Sequence, residues 1–315
     1  MMWPRGLLIV AVLLIVATAS GTAVAQTEQP GREGWPDTLI FAAVPSEQSQ
    51  SLESRFEATI AILESELGVD IEFFQAADYA GVIEAMIAER VDVAQFGPFS
   101  YVIAKANGAD ITPVAGALDG PGEEPGYQSY GITQGDNAEV DGLEDFAGRR
   151  VCFVDPGSTS GFLYPSAGLL QAGIDPETGI EPVFAGGHDA SALSVANGDC
   201  EVGFAFDDMV DMRLIETGDL QEGDLKVVWR SEVIAGSPVA VRNSLPEDLR
   251  QAIATTVVEK ANVDWAVENG FCESADSCSL SDEDNWGYAA VDDAFYDGVR
   301  MVCEVTKSAE CEGVS

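Results

Sequence analysis

Three hydroxyl residues in a row, Ser158, Thr159 and Ser160, stand between Gly157 and Gly161. Ahead of them, the apolar run 151–154 reads as a buried strand, and Asp155-Pro156-Gly157 is turn chemistry that stops it. Behind them, 162–172 reads as a helix. A strand, a tight turn and a helix start set the hydroxyls beside N–H groups with no partner inside the helix. Outward amides and the positive end of the helix dipole suit an anion. The hydroxyls add donors without adding formal charge. One Ser or Thr at such a place is only an N-cap; a run of three points to an oxyanion site.

The only histidine, His188 in Gly186-Gly187-His188-Asp189, also follows an expected strand and precedes an expected helix. Two helix starts can therefore converge, with the imidazole giving an N–H to a ligand oxygen. Tyr79, in Asp78-Tyr79-Ala80-Gly81, and Tyr127, in Pro125-Gly126-Tyr127, sit at strand ends or loops, where a phenol packs or meets a ligand. Catalysis is the rival class. Gly157-Ser158-Thr159-Ser160-Gly161 has a surface likeness to the G-x-S-x-G elbow, but its centre is Thr159. The alternative function is a secreted serine hydrolase or phosphoesterase using Ser158 or Ser160 with His188 as base, although nothing fixes a triad. There is no Walker sequence, and Gly120-Pro121-Gly122 lacks the third glycine of a dinucleotide loop. No cofactor is expected.

These residues must be held by the elements around them. The 315 residues suffice for two lobes with their own cores. Strands are expected at 38–44, 69–74, 91–96, 112–118, 127–133, 151–154, 182–184, 201–206, 225–229 and 237–241. Helices are expected at 51–67, 78–89, 99–106, 162–172, 190–197 and 245–268. Alternating strands and helices mean an α/β fold with parallel sheets. Two βαβα units, split near Tyr130 and Glu232, divide the chain into one lobe of 38–130 with 233–315 and another of 131–232. Ligands of such folds lie at the carboxyl ends of strands, here between the lobes.

Residues 1–25 read as a secretory signal: Arg5, an apolar stretch over 6–16, and the A-x-A site Ala23-Val24-Ala25. A polar leader follows over 26–37. With 54 acidic against 15 basic residues, the formal charge is −39, which excludes nucleic acid as a partner. The acid is spread along the chain and reads as a solvated surface. Six cysteines in an exported chain suggest three disulfides, with 15 pairings possible. Closeness favours Cys272 with Cys278 and Cys303 with Cys311, which leaves Cys152 with Cys200, joining two strands of one sheet. One histidine and unsuitable spacings argue against zinc, and no metal is expected.

From about Thr38 to Asn262 the chain resembles the phosphonate-type substrate-binding proteins of ABC transporters, a family that includes phosphite and hypophosphite binders. The likeness rests on Glu47-Gln48-Ser49-Gln50, Asp78-Tyr79-Ala80-Gly81, Val91-Asp92-Val93-Ala94, Pro125-Gly126-Tyr127, the stretch from Asp155 through Leu163, and Gly187-His188 with Val195-Ala196-Asn197. The resemblance implies a two-lobed periplasmic-binding-protein fold of type II with two hinge crossings. It also implies capture of a phosphonate, phosphite or phosphate, delivery to a membrane permease, a periplasmic or extracellular location, a monomer and no enzymatic activity. By the same resemblance, Ser158, Thr159, Ser160 and His188 hold the oxyanion from the second lobe, and Tyr79 and Tyr127 close the site from the first. Aminoethylphosphonate binders add two carboxylates for the ammonium end. One falls on Asp208; the other falls on Ser237, a departure that makes a smaller or uncharged substituent, phosphite or phosphate credible. The four C-terminal cysteines look like a local addition.

Overall fold

Along the first strand, Leu39, Phe41 and Ala43 face one packed layer while Ala42 and Val44 face another. Side chains of a strand alternate, so burial on both sides places this strand inside a sheet covered by helices on each face. The structure is a computed structural model and describes residues 1–2, 32–48, 52–283 and 285–314. The expected signal segment, apart from Met1 and Met2, lies outside them, as do leader residues 26–31 and positions 49–51, 284 and 315.

The chain runs β1 (Thr38–Ala43), α1 (Leu52–Arg55), α2 (Glu57–Leu67), β2 (Asp70–Phe74), α3 (Tyr79–Ile87), β3 (Val93–Gln95), α4 (Pro98–Ala106) and β4 (Ile111–Leu118). It then passes through β5 (Gly126–Tyr127) into β6 (Ser129–Gln134), β7 (Arg150–Phe153), a π-helical turn (Thr159–Leu163) and α5 (Tyr164–Gln171). Next come β8 (Glu181–Phe184), α6 (His188–Ala196), β9 (Val202–Phe206), a second π-helical turn (Met209–Arg213), α7 (Leu214–Glu216) and β10 (Leu225–Arg230). The return is made by β11 (Ile234–Ala235), β12 (Pro238–Arg242), α8 (Glu247–Lys260), α9 (Val263–Glu268), β13 (Gly287–Ala289) and α10 (Asp297–Thr306).

One sheet has the order β13-β4-β12-β3-β1-β2, the other β10-β6-β9-β7-β8. Each contains three parallel neighbours, β3-β1-β2 and β9-β7-β8, with antiparallel strands beside them. β5 and β11 pair as a two-stranded antiparallel ribbon where the chain crosses between the sheets. The ribbon is closely packed: a Cβ on Gly236 would lie 2.2 Å from the Ala117 carbonyl oxygen, so only glycine fits there. α10 packs on both α4 and α5, and therefore also joins elements of the two halves.

Three sequence expectations need correction. The helix expected over 51–67 breaks at Phe56, whose ring turns inward to meet Phe41 at 5.3 Å and Phe73 at 6.2 Å. The helix expected over 245–268 is two helices, because the Asn262 side chain accepts the Trp265 N–H and caps a fresh start. The helices after the hydroxyl run and after Gly187 begin earlier than expected, so Thr159, Ser160 and His188 lie in their first turns. The three disulfides are Cys152–Cys200, Cys272–Cys278 and Cys303–Cys311. Cys200 sits in the turn just before β9, not in the strand itself.

Candidate functional site

After β7 the Asp155 carboxylate accepts the Gly157 N–H at 2.7 Å and the Asp155 carbonyl accepts the Ser158 N–H at 2.9 Å, which folds the chain sharply back. Ser158 then caps the turn, its Oγ accepting the Gly161 N–H at 3.0 Å. A Cβ on Gly161 would come within 2.3 Å of Val154 Cγ2, so this return past the strand requires glycine. The π-helical turn closes with the Leu163 N–H donating to the Ser158 carbonyl at 3.0 Å. Such turns widen a helix and recur at functional positions. Ser158, Thr159 and Ser160 are all buried.

The Ser158 and Thr159 hydroxyls already use acceptor capacity on the protein. Thr159 Oγ1 accepts the Phe99 N–H at 2.8 Å, at the first turn of α4 in the other sheet's half. Tyr127 lies within hydrogen-bonding reach of Thr159 and Ser160, and Tyr79 within reach of Ser158. Tyr79 opens α3, which Asp78 caps by accepting the Gly81 N–H at 2.8 Å. Burial holds both phenols well above their ordinary pKa, so they stay protonated donors. An oxygen whose lone pairs are engaged has its hydrogen left to give.

His188 is fixed in the same way. Its Nδ1 accepts the Phe206 N–H at 3.1 Å, so the ring hydrogen of the neutral form is on Nε2. Burial keeps the ring neutral, with its pKa pushed down to about 3. Nε2 lies 3.4 Å from Ser158 Oγ. The ends of β7 and β9 and the starts of two helices thus bring Tyr79, Tyr127, Ser158, Thr159, Ser160 and His188 into one cluster of uncharged donors.

Asp208 belongs to the adjoining wall. A cavity of about 10 Å³ is lined by Tyr127, Phe206, Asp207, Asp208, Ser237 and Glu283, with Asp119 beside them. Ser237 Oγ donates to Glu283 Oε1 at 2.5 Å, so a carboxyl group does reach position 237, supplied from 46 residues further on. Burial and the charge of Asp282 raise the Glu283 carboxyl well above the ordinary range. Burial and Asp208 push Asp207 up to about 7, and burial, again with Asp208, pushes Asp119 up to about 6. Asp207 Oδ2 accepts the Gln128 N–H at 2.9 Å, whereas its buried Oδ1 has no partner. Among the described residues, no His, Cys, Asp or Glu group is placed to hold a metal ion.

A third set of contacts joins the loop after β1 to the start of α6. The His188 N–H donates to the Ser46 carbonyl at 2.7 Å, and the Gln48 N–H donates to the Asp189 carboxylate at 3.0 Å. Glu47 pairs with Arg213 at 3.3 Å. Burial outweighs that charge and pushes the Glu47 carboxyl up to about 7; Asp282 and Asp189 act in the same direction, and Arg55 opposes them. Sequence reasoning missed Asp119, Asp207, Glu283 and the role of this loop. Glu47-Gln48 was marked by the resemblance; one glutamate among 54 acidic residues had no signal.

The family description "ABC transporter, phosphonate, periplasmic substrate-binding protein" matches residues 41–264. The chain belongs to that family. This receptor is therefore an exported substrate-binding component of an ABC importer. It is 49% identical over 309 residues to the phosphate-import protein PhnD of Mycolicibacterium smegmatis, covering 96% of this chain and 95% of that one. It is 31% identical over 221 residues to the phosphonates-binding periplasmic protein of Escherichia coli, covering 68% and 64%. A binding component of a Pseudomonas aeruginosa ABC phosphonate transporter superposes with a TM-score of 0.73 at 25% identity, covering 86% of each chain. PhnD1 of Prochlorococcus marinus, solved in complex with methylphosphonate, gives 0.72 at 17% identity, covering 85% and 97%. The fold is the two-lobed type II periplasmic-binding-protein fold. Among the described residues, no helix is long and apolar enough to cross a membrane.

Proposed function

We propose that the receptor grips a phosphorus oxyanion with Ser158, Thr159, Ser160 and His188, while Tyr79 and Tyr127 close over it. The observation behind this reading is the cluster of buried, uncharged donors, in which the acceptor sides of Ser158, Thr159 and His188 are already engaged. Hydrogen bonds to a charged group contribute about 1.5–3 kcal/mol each. Four or five sum to about 6–15 kcal/mol, a range whose upper half exceeds the roughly 8 kcal/mol of a micromolar complex and leaves room for the cost of ordering. The two sheets act as lobes divided at the β5–β11 ribbon, and the bound anion is passed to a permease.

The finer reading is a receptor that performs no chemistry. A hydrolytic Ser158 would need His188 as base, yet Nδ1 faces a backbone N–H, not a carboxylate, and the ring resists protonation. Calorimetry with phosphate, phosphite, methylphosphonate and 2-aminoethylphosphonate tests the proposal. We expect one ligand per chain and no turnover. Ser158→Ala and His188→Ala should each weaken binding at least roughly tenfold, the loss of about one such bond. Unchanged affinity in both variants refutes the assigned site.

A further inference from the structure

Tyr127 and Phe206 are shared by the donor cluster and the acidic cavity: Tyr127 reaches Thr159 and Ser160, Phe206 holds His188, and both line the cavity. A tetrahedral anion whose oxygens are held by the donors therefore has a remaining substituent directed at the carboxyl groups. We propose that Glu283, hydrogen-bonded to Ser237, closes this cavity to a single oxygen, so that the receptor selects phosphate, with four oxygens, over phosphite and alkylphosphonates, with three. The inference rests on the proposed oxyanion site and names which member of the class that site prefers.

Size supports it first. A space of about 10 Å³ takes one water-sized group. The fourth oxygen of hydrogen phosphate matches that; the carbon, carbon and nitrogen of an aminoethyl tail do not. Chemistry supports it next. Asp207 lines the cavity, and its Oδ1 is buried and without a partner. One proton between that carboxyl and a phosphate oxygen satisfies both, whichever of the two holds it. A hydrogen or a methyl in the same place leaves the acid unpaired and next to an anion. Sites built around a hydrogen bond reject analogues that lack the group far more strongly than sites that only exclude bulk.

Glu283 is also held in place, not left to swing. Thr59 donates to the Leu280 carbonyl at 2.7 Å, and Ser46 and Ser281 bond Asp282 and Asn285 on either side. The Cys272–Cys278 disulfide lies immediately upstream. This anchored stretch falls beyond residue 264, where the family match ends.

Competition calorimetry on the full mature chain provides the test, with phosphate, phosphite, methylphosphonate and 2-aminoethylphosphonate as probes. The wild type should bind phosphate at least tenfold more tightly than methylphosphonate and phosphite, and 2-aminoethylphosphonate most weakly. Glu283→Ala should narrow the gap between phosphate and 2-aminoethylphosphonate at least tenfold by opening the cavity. Asp207→Asn, which puts an amide in place of the acid, should narrow the gap between phosphate and methylphosphonate by a similar factor. Should Glu283→Ala fail to fold, the wild-type ranking and Asp207→Asn decide. A wild type that binds 2-aminoethylphosphonate as tightly as phosphate, or variants with the wild-type ranking, overturns the inference while leaving the oxyanion site standing. Absence of binding by all four probes overturns the site itself.

Discussion

The wall that carries Ser158, Thr159 and Ser160 comes from one short turn, whereas the wall that carries Asp119, Asp207, Ser237 and Glu283 comes from four separate stretches of chain. Burial acts on both, with opposite results. On the first it strips the proton from the imidazole and leaves a set of neutral donors. On the second it raises the Asp207 carboxyl to about 7 and the Glu283 carboxyl well above the ordinary range, so both hold protons more readily than they would in water. A chain of formal charge −39 therefore offers an anion a site much less charged than its residue types suggest. Selectivity can then reside in hydrogen-bond roles and space, since neither wall relies on a full positive charge.

The largest effect should come from emptying the donor wall. Ser158→Ala combined with His188→Ala is expected to lower phosphate affinity roughly thirtyfold, less than the roughly hundredfold product of two tenfold losses, because the two groups touch at 3.4 Å. Full additivity in calorimetry would show that they act separately. Gly161→Ala comes next: its methyl has no space against Val154, so a loss of about 1–3 kcal/mol is expected in chemical denaturation. Unchanged stability would mean that the turn is looser than described.

Acidity should separate the regions further. The folded pKa of Glu47 is raised from 4.5 to about 7, so its contribution to stability is full below 4.5 and is lost as pH rises through 7. His188 is lowered from 6.5 to about 3, so its contribution is full above 6.5 and is lost as pH falls toward 3. Unfolding midpoints measured from pH 4 to pH 9 should therefore show Glu47→Gln weakening the decline between about 5 and 7. A Glu47→Gln curve parallel to the wild type over that range would contradict the burial of this carboxyl. The smallest effect is expected of Thr159→Ser, which keeps the hydroxyl that accepts the Phe99 N–H; phosphate affinity should change less than about threefold.

What could be read from the amino-acid order follows the same division. Ser158, Thr159 and Ser160 are adjacent, and their turn is announced by Asp155-Pro156-Gly157, so local chemistry places them. The strands follow from alternation, and two disulfides from nearness in the chain. Phe56 was hidden because an aromatic at helical spacing fits either a continuous helix or the ring cluster that it joins. Asn262 was hidden because a capping side chain inside a long apolar pattern resembles an ordinary exposed residue. The acceptor wall was out of reach for a deeper reason. Asp119, Asp207 and Glu283 meet only once both crossings and the C-terminal return are complete, and no spacing rule spans such separations.

The hydroxyl of Thr159 ends a helix that it does not belong to. Any parting of the two halves starts by uncapping α4 at Phe99, and a missing cap costs about 1 kcal/mol. The His188 N–H would lose the Ser46 carbonyl in the same movement. Both contacts join the halves directly, so whatever separates the halves has to break them.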